Sequence, residues 1–391
     1  MMSIIRQSVF AVLVLLFGIK GYAIPIIAYG GVSPKYATTE RFLELRNAGF
    51  DVCITNFGDL PTSKFIKVLD IAQQCDVKLF ALSTELWENP QSTIALIKKH
   101  PALYGYYVYD EPAPNQIKQM TDRFLQMMAA DSTKAFYLNL IPYYDEATLR
   151  MSGIKDYEAY VKQCVKIGVP QICFDYYPIT ESGIRSKWYH NLELIRKESL
   201  LNHRPFWAFA LSTPHADYPM PTLAMLRLQM YTNLAYGAKA LLYFTYWTPQ
   251  RTKDFVFHDG PISVDGHRTS TYETVRQMNN ELRPLLPLFE KAQVTSVRHL
   301  GKNTPEGATR MTKTPSHVSR LVVYGSQGVL VSQMKTEKGE YMVVVNKDYR
   351  KSIRIRIKAD ASVVEIDKRL QSKPLQEEYR LPGGDILLFR L

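Results

Sequence analysis

Two acids stand side by side at Asp110-Glu111, preceded by Tyr107 and Tyr109 and followed by Pro112, and a third stands at Asp175, followed by Tyr176-Tyr177-Pro178. Carboxyls that share one space can divide the work of acid–base chemistry: one, kept neutral by burial, gives a proton, while another stays charged and takes a proton or steadies a positive centre. Burial among tyrosines disfavours the charged form, which makes Glu111 the candidate general acid. Asp175 is the candidate second carboxylate, with Glu85 as its alternative. Asp110, Tyr29, Asn56, Glu85, Asn139, Tyr177, Tyr246 and Trp247 are candidate substrate contacts: amides and acids to hydrogen-bond hydroxyls, and rings to stack on an apolar face. Trp207 reads as a packing residue, and His100 and His215 as structural. The set holds no His and Cys cluster suited to a transition metal and no lysine for a Schiff base, so neither metal nor organic cofactor is expected.

A repeat must position these residues. Eight short apolar runs recur, at Ile26–Tyr29, Asp51–Thr55, Val77–Leu82, Leu103–Tyr109, Lys134–Leu140, Gln171–Phe174, Pro205–Leu211 and Ala238–Tyr246. Amphipathic helical patterns fill the intervals, for example Thr62–Cys75, Tyr157–Ile167 and Leu223–Tyr236. Alternation of this kind implies a parallel sheet, and eight units over residues 24–293 match the ~250 residues of a closed (β/α)₈ TIM barrel. An open doubly wound sheet would carry a Gly-rich phosphate turn after its first strand; Tyr29-Gly30-Gly31-Val32-Ser33-Pro34 lacks that spacing. The candidate residues fall at the C-terminal ends of the runs, where barrel enzymes do their chemistry. The fourth and sixth ends are two positions apart around the ring. That predicts Glu111 and Asp175 in one cleft, at the wider ~6.5–9.5 Å separation of an inverting pair rather than ~5.5 Å.

From residue 294 to 391 the texture changes to short β-rich runs, such as Tyr341–Asn346 and Ile386–Leu391, separated by Gly-, Lys- and Asp-bearing turns. That is the pattern of a small antiparallel β-sandwich. Its 18 basic and 10 acidic residues give it +8, whereas residues 24–293 are close to neutral at +1. Lys351-Ser-Ile-Arg-Ile-Arg-Ile-Lys358 alternates basic with apolar, which reads as the solvated face of a half-buried strand; contact with an acidic glycan or surface is the other reading. Residues 1–23 resemble a cleavable leader: Arg6, the apolar run Val9 to Gly18, then small residues at Gly21-Tyr22-Ala23. The run is shorter than the ~20 residues of a spanning helix. A signal peptide, export to the periplasm or beyond, and no integral membrane segment thereafter are expected. Cys53, Cys75, Cys164 and Cys173 match no zinc spacing and read as packing residues.

The stretch His100-Pro-Ala-Leu-Tyr-Gly-Tyr-Tyr-Val-Tyr-Asp-Glu-Pro112 resembles clan A of the glycoside hydrolases, the β-galactosidase-like TIM barrels, and in particular glycoside hydrolases of the gut Bacteroidetes type. In that clan the fourth strand ends in Asn-Glu-Pro. The resemblance implies Glu111 as acid/base and puts Asp110 at the position that hydrogen-bonds a sugar hydroxyl. Asn233-Leu-Ala-Tyr-Gly-Ala-Lys-Ala-Leu-Leu-Tyr-Phe-Thr-Tyr-Trp247 is similar to the eighth unit of the same enzymes and implies Trp247 as the floor of the sugar site. The clan's nucleophile is a Glu at the end of the seventh strand, whereas Trp207-Ala-Phe-Ala-Leu-Ser-Thr-Pro-His215 carries no acid. Asp175, Glu85, or an adjacent-acid mechanism in which Asp110 orients a substrate acetamido group beside Glu111, as in β-N-acetylhexosaminidases, would have to replace it. The expectation is therefore a hydrolase of O-glycosidic bonds in poly- or oligosaccharides, with carbohydrate and not nucleic acid as partner. A non-catalytic carbohydrate-binding barrel is the rival.

Overall fold

A computed structural model describes residues 24–325 and 327–391; the expected leader lies outside them. Eight parallel strands close into a barrel: β1 (Ile26–Tyr29), β2 (Val52–Ile54), β3 (Lys78–Ala81), β4 (Leu103–Asp110), β5 (Ala135–Leu140), β6 (Ile172–Phe174), β7 (Phe206–Leu211) and β8 (Ala240–Phe244). Each pairs with its chain neighbours, and β1 pairs with β8 to complete the ring. The principal outer helices are α1 (Thr39–Asn47), α2 (Thr62–Gln74), α3 (Pro90–Ile97), α4 (Ile117–Ala130), α5 (Tyr157–Lys166), α6 (Trp188–Leu201), α7 (Leu223–Tyr236) and α8 (Ser270–Leu282). No helix among the described residues is long and apolar enough to cross a membrane.

The barrel interior is packed with Ile27, Val52, Phe80, Tyr104, Tyr137, Cys173 and Trp207, and Tyr29, Tyr107 and Phe244 close it at the C-terminal end. Strand β4 departs twice from regular pairing, once against β3 between Leu79 and Phe80 and once against β5 between Tyr107 and Tyr109. Such bulges re-aim side chains. Here Tyr107 and Asp110 both come to the interior end although strict alternation would separate them. Gly105 makes the first irregularity possible, because a Cβ there would lie 2.3 Å from the Ala135 carbonyl oxygen and 2.6 Å from Phe80 Cε1. All four cysteines are buried free thiols.

Beyond the barrel, β9 (Gln293–Leu300), β10 (Val318–Tyr324), β11 (Val329–Thr336), β12 (Gly339–Asn346), β13 (Ile353–Ala359), β14 (Val364–Ile366), β15 (Ser372–Lys373), β16 (Glu378–Leu381) and β17 (Ile386–Arg390) form two antiparallel sheets. The larger runs β9-β11-β12-β17-β14-β15 and the smaller β10-β13-β16. Val331, Met342, Val344, Ile355, Ile357 and Phe389 fill the space between them. On β13 the arginines at 354 and 356 face solvent while Ile353, Ile355 and Ile357 face inward, which is the solvated-strand reading of that segment.

The other face of the larger sheet, with Leu330, Val343, Val345 and Leu388, packs on the barrel. Helix α7 lies between the two and is buried without interruption from Leu228 to Tyr236. That explains why its sequence shows no amphipathic stripe: a helix covered on both sides is apolar all round. Its two buried side-chain amides are used. Gln229 Oε1 accepts from the Leu211 N–H at 2.9 Å, Asn233 Nδ2 donates to the Phe209 carbonyl at 2.9 Å, and Ser332 Oγ on β11 donates to the Ala235 carbonyl at 2.7 Å. Gly384, with φ of 67°, brings the last turn so close to α7 that a Cβ would stand 2.2 Å from the Ala224 carbonyl oxygen.

Candidate active site

A cleft of about 360 Å³ opens at the C-terminal ends of the strands, at the small end of the range usual for small-molecule sites. Tyr29, Asp110, Glu111, Asn139, Asp175 and Tyr177 all line it. Strand β4 delivers the first acids. Glu111, just past its end, adopts a left-handed backbone (φ 52°), an uncommon state for a side chain with a Cβ, while its N–H still donates to the Asn139 carbonyl at 3.0 Å. The β4–β5 ladder thus runs one residue beyond the strand and fixes the turn from which Glu111 enters the cleft.

Asp110 accepts from the Tyr29 hydroxyl at 2.9 Å and the Tyr137 hydroxyl at 3.3 Å. Asn139 Nδ2 donates to Asp175 Oδ1 at 2.6 Å. The Tyr177 ring lines the cleft beside Asp175 with its hydroxyl buried and unpaired, and the Glu111 and Asp175 carboxyls are close enough to share a hydrogen bond. That contact is much closer than the wide spacing inferred from two strand positions. Glu111 makes it from a left-handed turn at the end of β4.

Three carboxyls in one enclosure cannot all ionise. Desolvation raises the pKa of each, and the charges of Asp175 and Asp110 raise that of Glu111 further. The hydrogen bond from Asn139 partly offsets the rise at Asp175, whereas the contact with Asp175 only adds to that at Glu111. Both are pushed up, Asp175 to about 7 and Glu111, which carries the added repulsion, to about 9, so between those values the pair holds one proton. Glu111 is exposed to the cleft and yet titrates as an enclosed group, because the surface it shows is the wall of a narrow concavity. Arg185 also lines the cleft, but its guanidinium pairs with Asp217 at 3.2 and 3.3 Å and lies over the rings of Tyr144 and Tyr218.

Four expected contacts lie elsewhere. Asn56 is exposed and its Oδ1 accepts from the Gly58 N–H at 2.8 Å in a local turn. Glu85 accepts from the Thr62 hydroxyl and from the Thr62 N–H at 3.0 Å, so it caps the start of α2, and those bonds lower its pKa. Strand β8 stops at Phe244, two residues before the expected end. Tyr246 consequently turns outward and is fully buried against Phe50, with ring centroids 5.3 Å apart. Trp247 stacks on Tyr36 at 5.1 Å and donates to the Val264 carbonyl at 3.3 Å, away from the cleft. Trp207 is packed inside the barrel against Phe80 and Tyr104.

The aromatic lining is instead Phe244, Phe209, Tyr137, Tyr144 and Tyr218, and His215 stands in the wall with its ring 4.8 Å from that of Tyr218. Phe209 and Tyr137 lie in apolar runs, where a lining position and a core position look alike. The two acids can pass a proton between them or to a bound group, and the rings offer flat apolar faces beside them.

No family model matches the chain, and no curated protein matches it. Solved structures do share its architecture. The β-galactosidase from Bacillus circulans sp. alkalophilus aligns with a TM-score of 0.62 at 11% identity, over 95% of this chain and 99% of that one. A glycoside hydrolase family 5 protein from Bacteroides vulgatus aligns with a TM-score of 0.56 at 8% identity, over 94% and 88%. The β-galactosidase of the psychrophilic Marinomonas ef1 aligns at a TM-score of 0.48 and 11% identity over 67% of this chain, which spans 60% of that enzyme's length. At such identities the likeness is one of fold: a (β/α)₈ barrel with a C-terminal β-domain, of the kind found in glycoside hydrolases.

Proposed function

We propose that the protein hydrolyses O-glycosidic bonds, with Glu111 as the general acid and Asp175 as its partner. One observation carries this reading: two carboxyls face each other in an aromatic cleft, and burial with mutual repulsion raises both, so that over the range between their two ionisations the pair holds a single proton, the requirement for acid and base roles at one pH. Glu111 gives its proton to the leaving oxygen while the Asp175 carboxylate supports the positive charge that develops on the sugar ring. Phe244 and Phe209 offer faces for the ring, and Asp110, held by two tyrosine hydroxyls, is placed to accept from a sugar hydroxyl.

A pair in hydrogen-bond contact has no room for the water of an inverting displacement. A modest parting on substrate entry brings it to the ~5–5.5 Å of a double displacement, with Asp175 as the nucleophile. The leader-like first 23 residues fit export and a role in polysaccharide degradation outside the cytoplasm.

A panel of aryl glycosides assayed with the wild type and Glu111→Gln tests this reading. Turnover that collapses in the variant supports it. Sugar binding without any turnover in the wild type would instead identify a carbohydrate-binding barrel. A strict requirement for an N-acetylated sugar would move the nucleophile from Asp175 to the substrate, with Asp110 as its orienting group.

A further inference from the structure

Where the barrel meets the sandwich, an opening of about 200 Å³ is lined by Arg185, Tyr189 and Lys347, and a second of about 350 Å³ by Lys347, Arg350 and Lys351. Lys347 belongs to both. It follows the end of β12, is only 4% exposed, and has no carboxylate or carbonyl partner for its ammonium among the described residues. Burial without a counter-ion pushes its pKa down to about 8. Its neighbours are also unsatisfied: the Tyr189 hydroxyl and His299 Nδ1 are buried without a hydrogen-bond partner, and the charge of Lys347 adds to the lowering of the His299 pKa.

The acids at the seam are occupied. Glu306 is bound to Lys187, and Asp348 Oδ1 accepts from the N–H groups of Arg350 and Lys351 at 2.8 and 3.1 Å. An unpaired buried cation is strongly unfavourable, so a fold that retains one at the wall of an open cavity is arranged for a counter-ion from outside. Arg185 connects the parts. It lines the catalytic cleft as well as the seam, and its Nε is buried without a partner. Arg185 stands in the walls of both openings, which puts the cleft and the seam side by side.

We propose that this seam is a secondary binding site for an acidic glycan, in which the Lys347 ammonium takes a carboxylate or sulfate group of a chain whose adjoining sugars occupy the cleft. The inference rests on the glycan reading of the cleft and adds the chemical class of the substrate. It also gives a role to the basic balance of the C-terminal domain.

Calorimetric titration of the full-length Glu111→Gln protein, which binds without turning over, tests the proposal. The probes are a galacturonate oligosaccharide, a sulfated carrageenan oligosaccharide and a neutral cello-oligosaccharide of matched length. At least one acidic probe is expected to bind more tightly than the neutral one; which one does so tells carboxylate from sulfate. Adding Lys347→Met should weaken that probe by ~10-fold or more, the usual worth of a hydrogen bond to a charged group, and leave the neutral probe unchanged. Lys347→Arg should restore the preference. The melting temperature of Lys347→Met should rise, because an unpaired buried charge has been removed, and this separates lost binding from lost folding.

Equal affinity for acidic and neutral probes, or acidic affinity indifferent to Lys347→Met, overturns the proposal. Lys347-dependent acidic binding by a wild type that hydrolyses no glycoside would sink the hydrolase reading alone. Hydrolysis of neutral glycosides without acidic preference would sink this inference alone.

Discussion

Glu111→Gln keeps the size of the side chain and a donor toward Asp175, and removes only the proton to be transferred. The loss expected in kcat is ~10²–10⁴-fold for an unactivated glycoside, the usual worth of a general acid, and much less for a dinitrophenyl leaving group that needs no protonation. The pH profile carries more information. Burial and the charges of Asp175 and Asp110 hold the Glu111 proton well past the ordinary carboxyl range, so wild-type activity should rise as Asp175 ionises near pH 7 and fall on the alkaline side as the Glu111 proton is lost. The variant should lack this alkaline limb. Its acid limb should stay in place, because Asp175 ionises while Glu111 is still neutral. Stability gives an independent sign. A carboxyl whose pKa is higher in the folded state than in the unfolded chain binds protons better when folded, so its contribution to stability falls as pH rises from the unfolded pKa toward the folded one. The melting temperature of Glu111→Gln relative to wild type should therefore climb between about pH 5 and about pH 9. A variant that cleaves unactivated glycosides at near wild-type rates, or keeps the alkaline limb, would refute the assignment.

Asp175→Asn should remove turnover for good and poor leaving groups alike, and proton NMR of the first product from the wild type should show retained configuration; an inverted product would mean that the carboxyls work farther apart than they rest. Gly105→Ala should lower stability by ~1–3 kcal/mol in denaturant titrations, the usual penalty of forced overpacking, because the new methyl meets the Ala135 carbonyl and the Phe80 ring. The same substitution should reduce turnover, since it displaces the strand that delivers Asp110 and Glu111. Protein isolated from its native host should begin at Ile24 or within a residue or two of it by N-terminal sequencing; retention of Met1 would end the export reading.

The eight-unit repeat was legible because each strand is an apolar run with its helix following, and the acids of β4 and β6 were legible because each stands directly after such a run. The same rule failed at Asn56 and Glu85. Those residues also follow apolar runs, but the chain turns at once and their side chains serve a turn and a helix start. It failed at Tyr246 and Trp247 for another reason: the apolar run continues where the strand does not, and hydrophobicity alone does not mark the last paired residue. The spacing of Glu111 and Asp175 was out of reach because it depends on a left-handed residue and on bulges in β4, and neither leaves a mark in periodicity. His215 stands just past the seventh apolar run and reads as structural, yet it lines the cleft; Arg185 comes from a loop, and only its place in the folded chain brings it there.

Helix α7 ties the fate of the cleft to the sandwich. Through Gln229 and Asn233 it holds the backbone of β7 at Phe209 and Leu211, and its far side is covered by the larger sheet. Arg227 on this helix and Lys368 of the sandwich both grip Glu281 on α8, and Lys368 also reaches Asp385 at 2.7 Å. The β-domain is thus less an appendage than a wall shared by two rooms: a chain cut after residue 291 would expose an apolar helix face and loosen a strand of the catalytic ring. Such a chain should aggregate, and the intact protein should melt in a single cooperative transition rather than domain by domain.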